Sequence, residues 1–196
     1  MNIGAITTSV HAGTHADAPL HVESSWSDSA CLPATAFIGE VCVIALPSGA
    51  NASTEISTDA LTAMIGKVMG AADSLREIGG QSSKVEPAAP SRVLCRTGYS
   101  VANGAFPDAW PILSASAAAW LVSQGILLWG TDAPSVDERN SKALPVHHAL
   151  FAASAFVLEN LSLGHVVPGV YELLAQPISI EGADAAPVRA MLRALP

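Results

Sequence analysis

Charge is scarce in this chain. Only 13% of its 196 residues are Asp, Glu, Lys or Arg, which is lean for a solitary soluble domain. Part of the apolar surface is therefore expected to be buried in a homo-oligomer. Positive charge is scarcer still: nine Lys and Arg stand against seventeen Asp and Glu, for a formal net charge of −8. With no Lys/Arg cluster to offset it, this balance disfavours nucleic acid and anionic membrane surfaces as partners. Cysteine is sparse as well. Cys31, Cys42 and Cys95 are widely spaced and form no C-x-x-C pair, which argues against a disulfide scaffold or zinc finger and for a reduced setting. Cys42 and Cys95 read as small hydrophobes in buried strands. No uninterrupted apolar run reaches the roughly eighteen residues of a membrane span. The opening Met-Asn-Ile-Gly-Ala-Ile-Thr-Thr has neither the basic start nor the long apolar run of a secretory signal. A cytoplasmic protein is expected. No G-x-S-x-G element offers a serine nucleophile.

Histidine is concentrated instead. Residues 11–21 read His11-Ala-Gly-Thr-His15-Ala-Asp17-Ala-Pro-Leu-His21, gathering three of the six histidines and a carboxylate, all at odd positions. In an extended strand all four side chains could share one face. A helix would align only His11 and His15, and Gly13, Pro19 and the preceding Thr-Thr-Ser-Val argue against one. Neutral imidazoles mixed with a carboxylate suit a divalent ion of the zinc or manganese type. A carboxylate flanked by histidines can also bridge two such ions. The competing reading is a polar loop whose histidines are simply solvated.

The length suits a single domain spanning residues 1–196. Residues 2–10 read as a strand leading into the histidine cluster, and 22–36 as an irregular loop. Phe37 to Leu46 contains the buried strand Val41-Cys-Val-Ile-Ala-Leu, closed by Pro47-Ser-Gly. Residues 55–65 read as a helix with Ser57 or Thr58 as its cap. Residues 66–90 read as a surface excursion, with room for a short helix at 71–78; a linker between two domains is the competing view. A second buried strand begins at Ser91. Ser114 to Gln124 forms a helix stopped by Gly125, and Ile-Leu-Leu-Trp-Gly-Thr follows at once. That helix-then-strand order marks an α/β unit, whose functional loops follow strand C-termini. Asp132 begins such a loop, either as support for a site or as a turn former.

His147 and Glu159 lie twelve residues apart. On one helix they would be separated by about 18 Å, so they reach a common ion only if the chain turns back as a short helix followed by a strand. A glutamate embedded in Phe156-Val-Leu-Glu159 is costly to bury without an ion or partner. His148, pointing away from His147, and His165, in a Gly/Pro turn, read as bystanders. Residues 171–180 read as a strand pair or bent strand. The tail from Ala186 starts like a helix but is open to an extended reading.

The pattern H-x-G-T-H-x-D-x-P-x-H resembles the signature of the cyclase family of metal-dependent hydrolases, which includes kynurenine formamidases (arylformamidases) and isatin hydrolases. The resemblance extends through Asn2-Ile-Gly, Thr131-Asp-Ala-Pro-Ser-Val-Asp, Lys142, His147 with Glu159, and Pro168-Gly-Val-Tyr-Glu-Leu. The last residues, from Ala186, are similar to the formamidase branch. The resemblance implies an α/β fold with a mixed, partly closed, β-barrel-like sheet and flanking helices, assembled as dimers or tetramers. It implies two divalent ions per subunit, zinc in the formamidases and manganese in isatin hydrolases. His11 and His15 would hold the first, Asp17 would bridge, His147 would hold the second, and Glu159 would bind one or both. His21 matches the residue assigned as proton donor and acceptor. Family members carry more residues ahead of the position of Asn2, including an aromatic lining the substrate pocket; the expectation is that either the start is truncated here or another subunit or loop supplies that wall. The implied reaction is hydrolysis of N-formyl-L-kynurenine to L-kynurenine and formate, a step of tryptophan degradation. The alternatives are the same chemistry on another small amide or lactone such as isatin, and a non-catalytic metal-binding protein.

Overall fold

Runs of β-branched and aliphatic residues supply the strands, and the alanine-rich stretches between them supply the helices. The computed structural model describes residues 2–78 and 90–195. In chain order these form β1 (His15–Asp17), α1 (Ala34–Phe37), β2 (Ile38–Ala45), β3 (Glu55–Ile56), α2 (Thr58–Ile78) and β4 (Arg92–Arg96). There follow β5 (Ile112–Leu113), α3 (Ala115–Ser123), β6 (Leu128–Thr131), α4 (Pro145–Ala152) and β7 (Phe156–Glu159). The chain closes with β8 (Gly169–Leu174), β9 (Ala185–Pro187) and β10 (Met191–Ala194). The main sheet has eight strands in the order β10-β8-β2-β4-β6-β7-β1-β9. Its centre, β2-β4-β6-β7, is parallel, and the outer strands are antiparallel. The sheet is curled into part of a barrel, as the family resemblance implies.

Each parallel step is bridged by a helix: α2 between β2 and β4, α3 between β4 and β6, α4 between β6 and β7. Ser114 caps α3 by accepting the Ala117 N–H, and Gly125, at φ +72°, ends the helix. All three helices cover one face, where Leu61, Ile65, Leu121 and Leu150 pack on Cys42, Ile44, Val93, Cys95 and Trp129. The opposite face is a second apolar layer of Phe37, Val41, Val43, Leu94, Leu128, Leu158 and Leu173. Gly130 lies where these layers are tightest: a Cβ there would overlap the side chains of Leu94 and Leu161. Among the described residues no helix is long and apolar enough to cross a membrane.

Four expectations are corrected. Residues 2–10 form no strand; Ile3 and Ile6 are exposed. A strand is stable only with a neighbour to receive its hydrogen bonds, and none of the described strands flanks this segment. Glu55 and Ile56 are not helical but pair with Ile112 and Leu113 as a two-stranded sheet. The helix starts at Thr58, capped by Ser57, and runs on to Ile78, so the first half of the expected 66–90 excursion is helix. Gly66 and Gly70 cost about 1 kcal/mol each there, but Leu61, Ile65 and Val68 bury one face of the helix, which offsets that cost. Residues 79–89 lie outside the described residues. The tail is extended as β9 and β10, and only Gly169–Leu174 of the region around 171–180 lies in a strand of the main sheet.

Candidate metal centre

β1 is only three residues long, yet it lies between β7 and β9 and is buried throughout. Its register sets His15 directly opposite Glu159. Cross-strand partners share a face, so the imidazole and the carboxylate meet: His15 Nε2 is 3.5 Å from Glu159 Oε2. Asp17, two residues along, projects to the same side. From the helix side comes His147, in the first turn of α4, which Pro145 opens. The chain does turn back between His147 and Glu159 as helix then strand.

His11 and His21 arrive differently from the single-face expectation. Only His15 and Asp17 lie on the strand. His11 sits in the preceding turn, which Gly13 makes possible with a φ of +70°, a conformation costly for residues with a Cβ. His21 ends a short 3-10 helix opened by Pro19. The turn and the short helix fold both imidazoles back over the strand. Ring centroids are 4.9 Å apart for His11 and His15, 4.6 Å for His11 and His21, and 5.5 Å for His21 and His147.

Asp17 is the hub. Its Oδ1 is 3.1 Å from His11 Nδ1 and 3.2 Å from His15 Nε2, while Oδ2 is 3.0 Å from His147 Nε2. Glu159 also straddles the cluster: Oε1 is 3.3 Å from His147 Nε2 and accepts the Val136 N–H, with Oε2 toward His15. Despite their proximity, His15 Nε2 and Asp17 Oδ1 form no hydrogen bond, and both are buried. The outward nitrogens are held. His15 Nδ1 donates to the Gly13 carbonyl at 2.9 Å, and His147 Nδ1 to Asp137 at 2.7 Å. Those assignments follow from the hydrogen-bond partners, and once each ring gives up its second proton its Nε2 lone pair faces the carboxylates. This is the arrangement of metal-ligating histidines, which give their other N–H to a carbonyl or carboxylate. His15, Asp17 and Glu159 present donor atoms within 4.8 Å of one another, as do His11, Asp17 and His21. The donor set fits a divalent ion.

The electrostatics agree. Burial works against charge on His15 and His147, but the surrounding carboxylates outweigh it. His15 is raised to about 10 and His147 well above the usual imidazole range. Burial likewise works against the Asp17 carboxylate, and its imidazole neighbours still hold it well below the ordinary range. Imidazoles that hold protons this firmly must release them to an ion, so ion binding is coupled to proton release.

Three carboxylates complete the site. Asp137 accepts both the Val146 and His147 backbone N–H groups as well as the His147 ring. It lies within the Thr131–Asp137 stretch that carried the resemblance, but no spacing rule links it to His147. Asp184 touches His11 and His21 and had no sequence signal at all. Asp132 supports rather than merely turns: it accepts from the Thr97 N–H and hydroxyl and from the Gly98 N–H, bracing the loop after β4. His148 packs against Trp26 and His165 is exposed in a turn, both apart from the cluster.

Residues 4–138 match the family model described as "Putative cyclase". The chain belongs to the cyclase family. A kynurenine formamidase of Bordetella avium is 38% identical over 196 residues, covering 100% of this chain and 82% of that protein. Among solved structures, a potential metal-dependent hydrolase with cyclase activity is 27% identical with a TM-score of 0.75, covering 96% of this chain and 81% of that one. Isatin hydrolase A of Labrenzia aggregata, bound to benzyl benzoate, is 25% identical with a TM-score of 0.71, covering 96% and 75%. These matches establish the cyclase fold for the curled sheet and its helices.

Proposed function

We propose that this chain is a metal-dependent hydrolase that cleaves N-formyl-L-kynurenine to L-kynurenine and formate. The observation that carries the reading is the division of the Asp17 oxygens, Oδ1 toward His11 and His15 and Oδ2 toward His147. A carboxylate whose oxygens face two separate sets of imidazoles is suited to bridging two ions. His11 and His15 would hold the first, His147 the second, and Glu159 one or both, with zinc or manganese the ions suited to such donors. When bound, the metal supplies Lewis acidity toward water and toward a substrate carbonyl.

The chain's own groups do the rest. Asp137 holds the His147 ring from behind, and the Gly13 carbonyl holds His15, so neither imidazole swings as charge changes in the site. His21 stands on the open side. In the reaction, water oxygen becomes bonded to the formyl carbon and the formyl C–N bond breaks. The proton lost by water must reach the departing aniline nitrogen. The His21 imidazole, partly exposed beside the buried cluster and able to take up a proton at one ring nitrogen, suits that transfer. The similarity to kynurenine formamidases over the whole chain supports the substrate.

The likeness to an isatin hydrolase supports a second reading, the same site acting on a small cyclic amide. The test strips the protein with a chelator, reloads it with zinc or manganese, and follows N-formylkynurenine and isatin hydrolysis by ultraviolet absorbance. Metal-restored formylkynurenine turnover is expected. Turnover of isatin alone would shift the substrate, and metal uptake without turnover of either would overturn the reading. We also propose a homodimer or homotetramer, supported by the exposed Ile3, Ile6, Phe106, Val167 and Met191; light scattering decides it.

A further inference from the structure

Asp184 sits immediately before β9, and a single oxygen of its carboxylate meets two imidazoles. Oδ2 is 3.0 Å from His11 Nε2 and 3.1 Å from His21 Nδ1. The two rings lean together at 4.6 Å, tilted by 48°. A carboxylate oxygen can accept two N–H donors, and a neutral imidazole has one N–H to give. Whichever nitrogen donates outward therefore decides which nitrogen is left with its lone pair. His11 has Nε2 toward Asp184 and Nδ1 toward Asp17.

We infer that Asp184 is a positioning residue that fixes the ring nitrogens of both His11 and His21, so that His11 presents Nδ1 to the buried carboxylates and His21 keeps Nε2 for proton transfer. It acts through the two imidazoles and not on the reacting atoms. The inference rests on the metal-dependent hydrolase reading for its consequence, but the hydrogen bonds it invokes belong to the chain itself.

The loop is built to hold this carboxylate still. The Ala18 N–H donates to the Asp184 carbonyl at 2.9 Å, and Ala185, the next residue, pairs in register with Asp17. The Ser29 N–H donates to the Ala183 carbonyl and its hydroxyl to the Ile180 carbonyl. The Gly182 N–H donates to Asp28, at a φ of +73° that favours glycine. Four bonds thus tie residues 180–184 to the Ala18–Cys31 segment that also carries His21. None of them uses the Asp184 side chain, so replacing that side chain leaves the loop anchored.

The test uses the full chain loaded with zinc, which is diamagnetic, and 15N-labelled at histidine. Long-range proton–nitrogen correlation spectra should show His21 as the Nδ1–H tautomer. In Asp184→Ala that tautomer should be lost, zinc affinity by chelator competition should weaken by about 10- to 100-fold, and kcat should fall with KM little changed. Asp184→Asn keeps an oxygen acceptor and should recover the His21 tautomer and most of the affinity. Unchanged His21 nitrogen shifts and unchanged zinc affinity in Asp184→Ala would overturn the assignment, even if activity fell. Should the wild-type zinc protein fail to hydrolyse N-formylkynurenine, the functional reading would fall, while the tautomer and affinity measurements would still decide the role of Asp184.

Discussion

The two halves of the candidate centre are built from different material. His15, Asp17, His147 and Glu159 stand on β1, α4 and β7, with side chains 1–4% exposed. His11, His21 and Asp184 stand on a turn, a 3-10 helix and a loop, at 29%, 27% and 43%. The buried half is fixed by strand register and by Asp137. Burying so many ionisable groups costs stability unless they compensate one another or receive an ion. The open half is held by loop hydrogen bonds and faces water, where substrate and protons can come and go. On the proposed reading, the buried half retains the ions, while the open half both reaches them through His11 and carries protons through His21.

The comparison breaks first at its hub. Asp17→Ala removes the carboxylate common to both donor sets, and is expected to abolish both zinc retention by elemental analysis and hydrolysis. Next is the open half: His21→Ala should retain zinc while kcat falls by about 10²- to 10⁴-fold, the usual worth of a positioned proton carrier. Loss of zinc in that variant would make His21 a ligand, an assignment its proximity to His11 and Asp17 makes concrete. Removing the support of the buried half should cost less. Asp137→Ala is expected to weaken zinc binding by about 10- to 100-fold, by chelator competition. Smallest is a change outside both halves. Ser57→Ala removes the cap of α2 and should cost about 0.5–1 kcal/mol of stability by urea denaturation, with zinc affinity unchanged.

The sequence made the buried half legible and the open half only partly so. His15 and Asp17 share a face because alternation along a strand is a local rule, and the turn between His147 and Glu159 followed from a helix-like composition giving way to Phe-Val-Leu. The four central parallel strands were visible as apolar runs for the same reason. Asp184 was invisible because it is 163 residues from His21, and a loop carboxylate carries no periodicity. His11 and His21 were found by spacing but expected on one extended strand; Gly13 and Pro19, used to argue against a helix, also interrupt the strand. The 58–78 helix was cut short because glycine lowers local propensity, whereas burial of Leu61, Ile65 and Val68 is a tertiary gain. Residues 2–10 end in the strand-favouring run Thr-Thr-Ser-Val, but pairing requires a neighbour that composition alone does not reveal.

The most direct test is anomalous X-ray scattering at the zinc edge from crystals of the zinc-loaded protein. Zinc enclosed by His11, His15, Asp17, His147 and Glu159, with His21 and Asp184 outside the ligand set, is the predicted result. Zinc ligated by His21 in place of these residues, or no zinc at the cluster, would contradict the assignment of His21 to proton transfer and of the other imidazoles to ion holding.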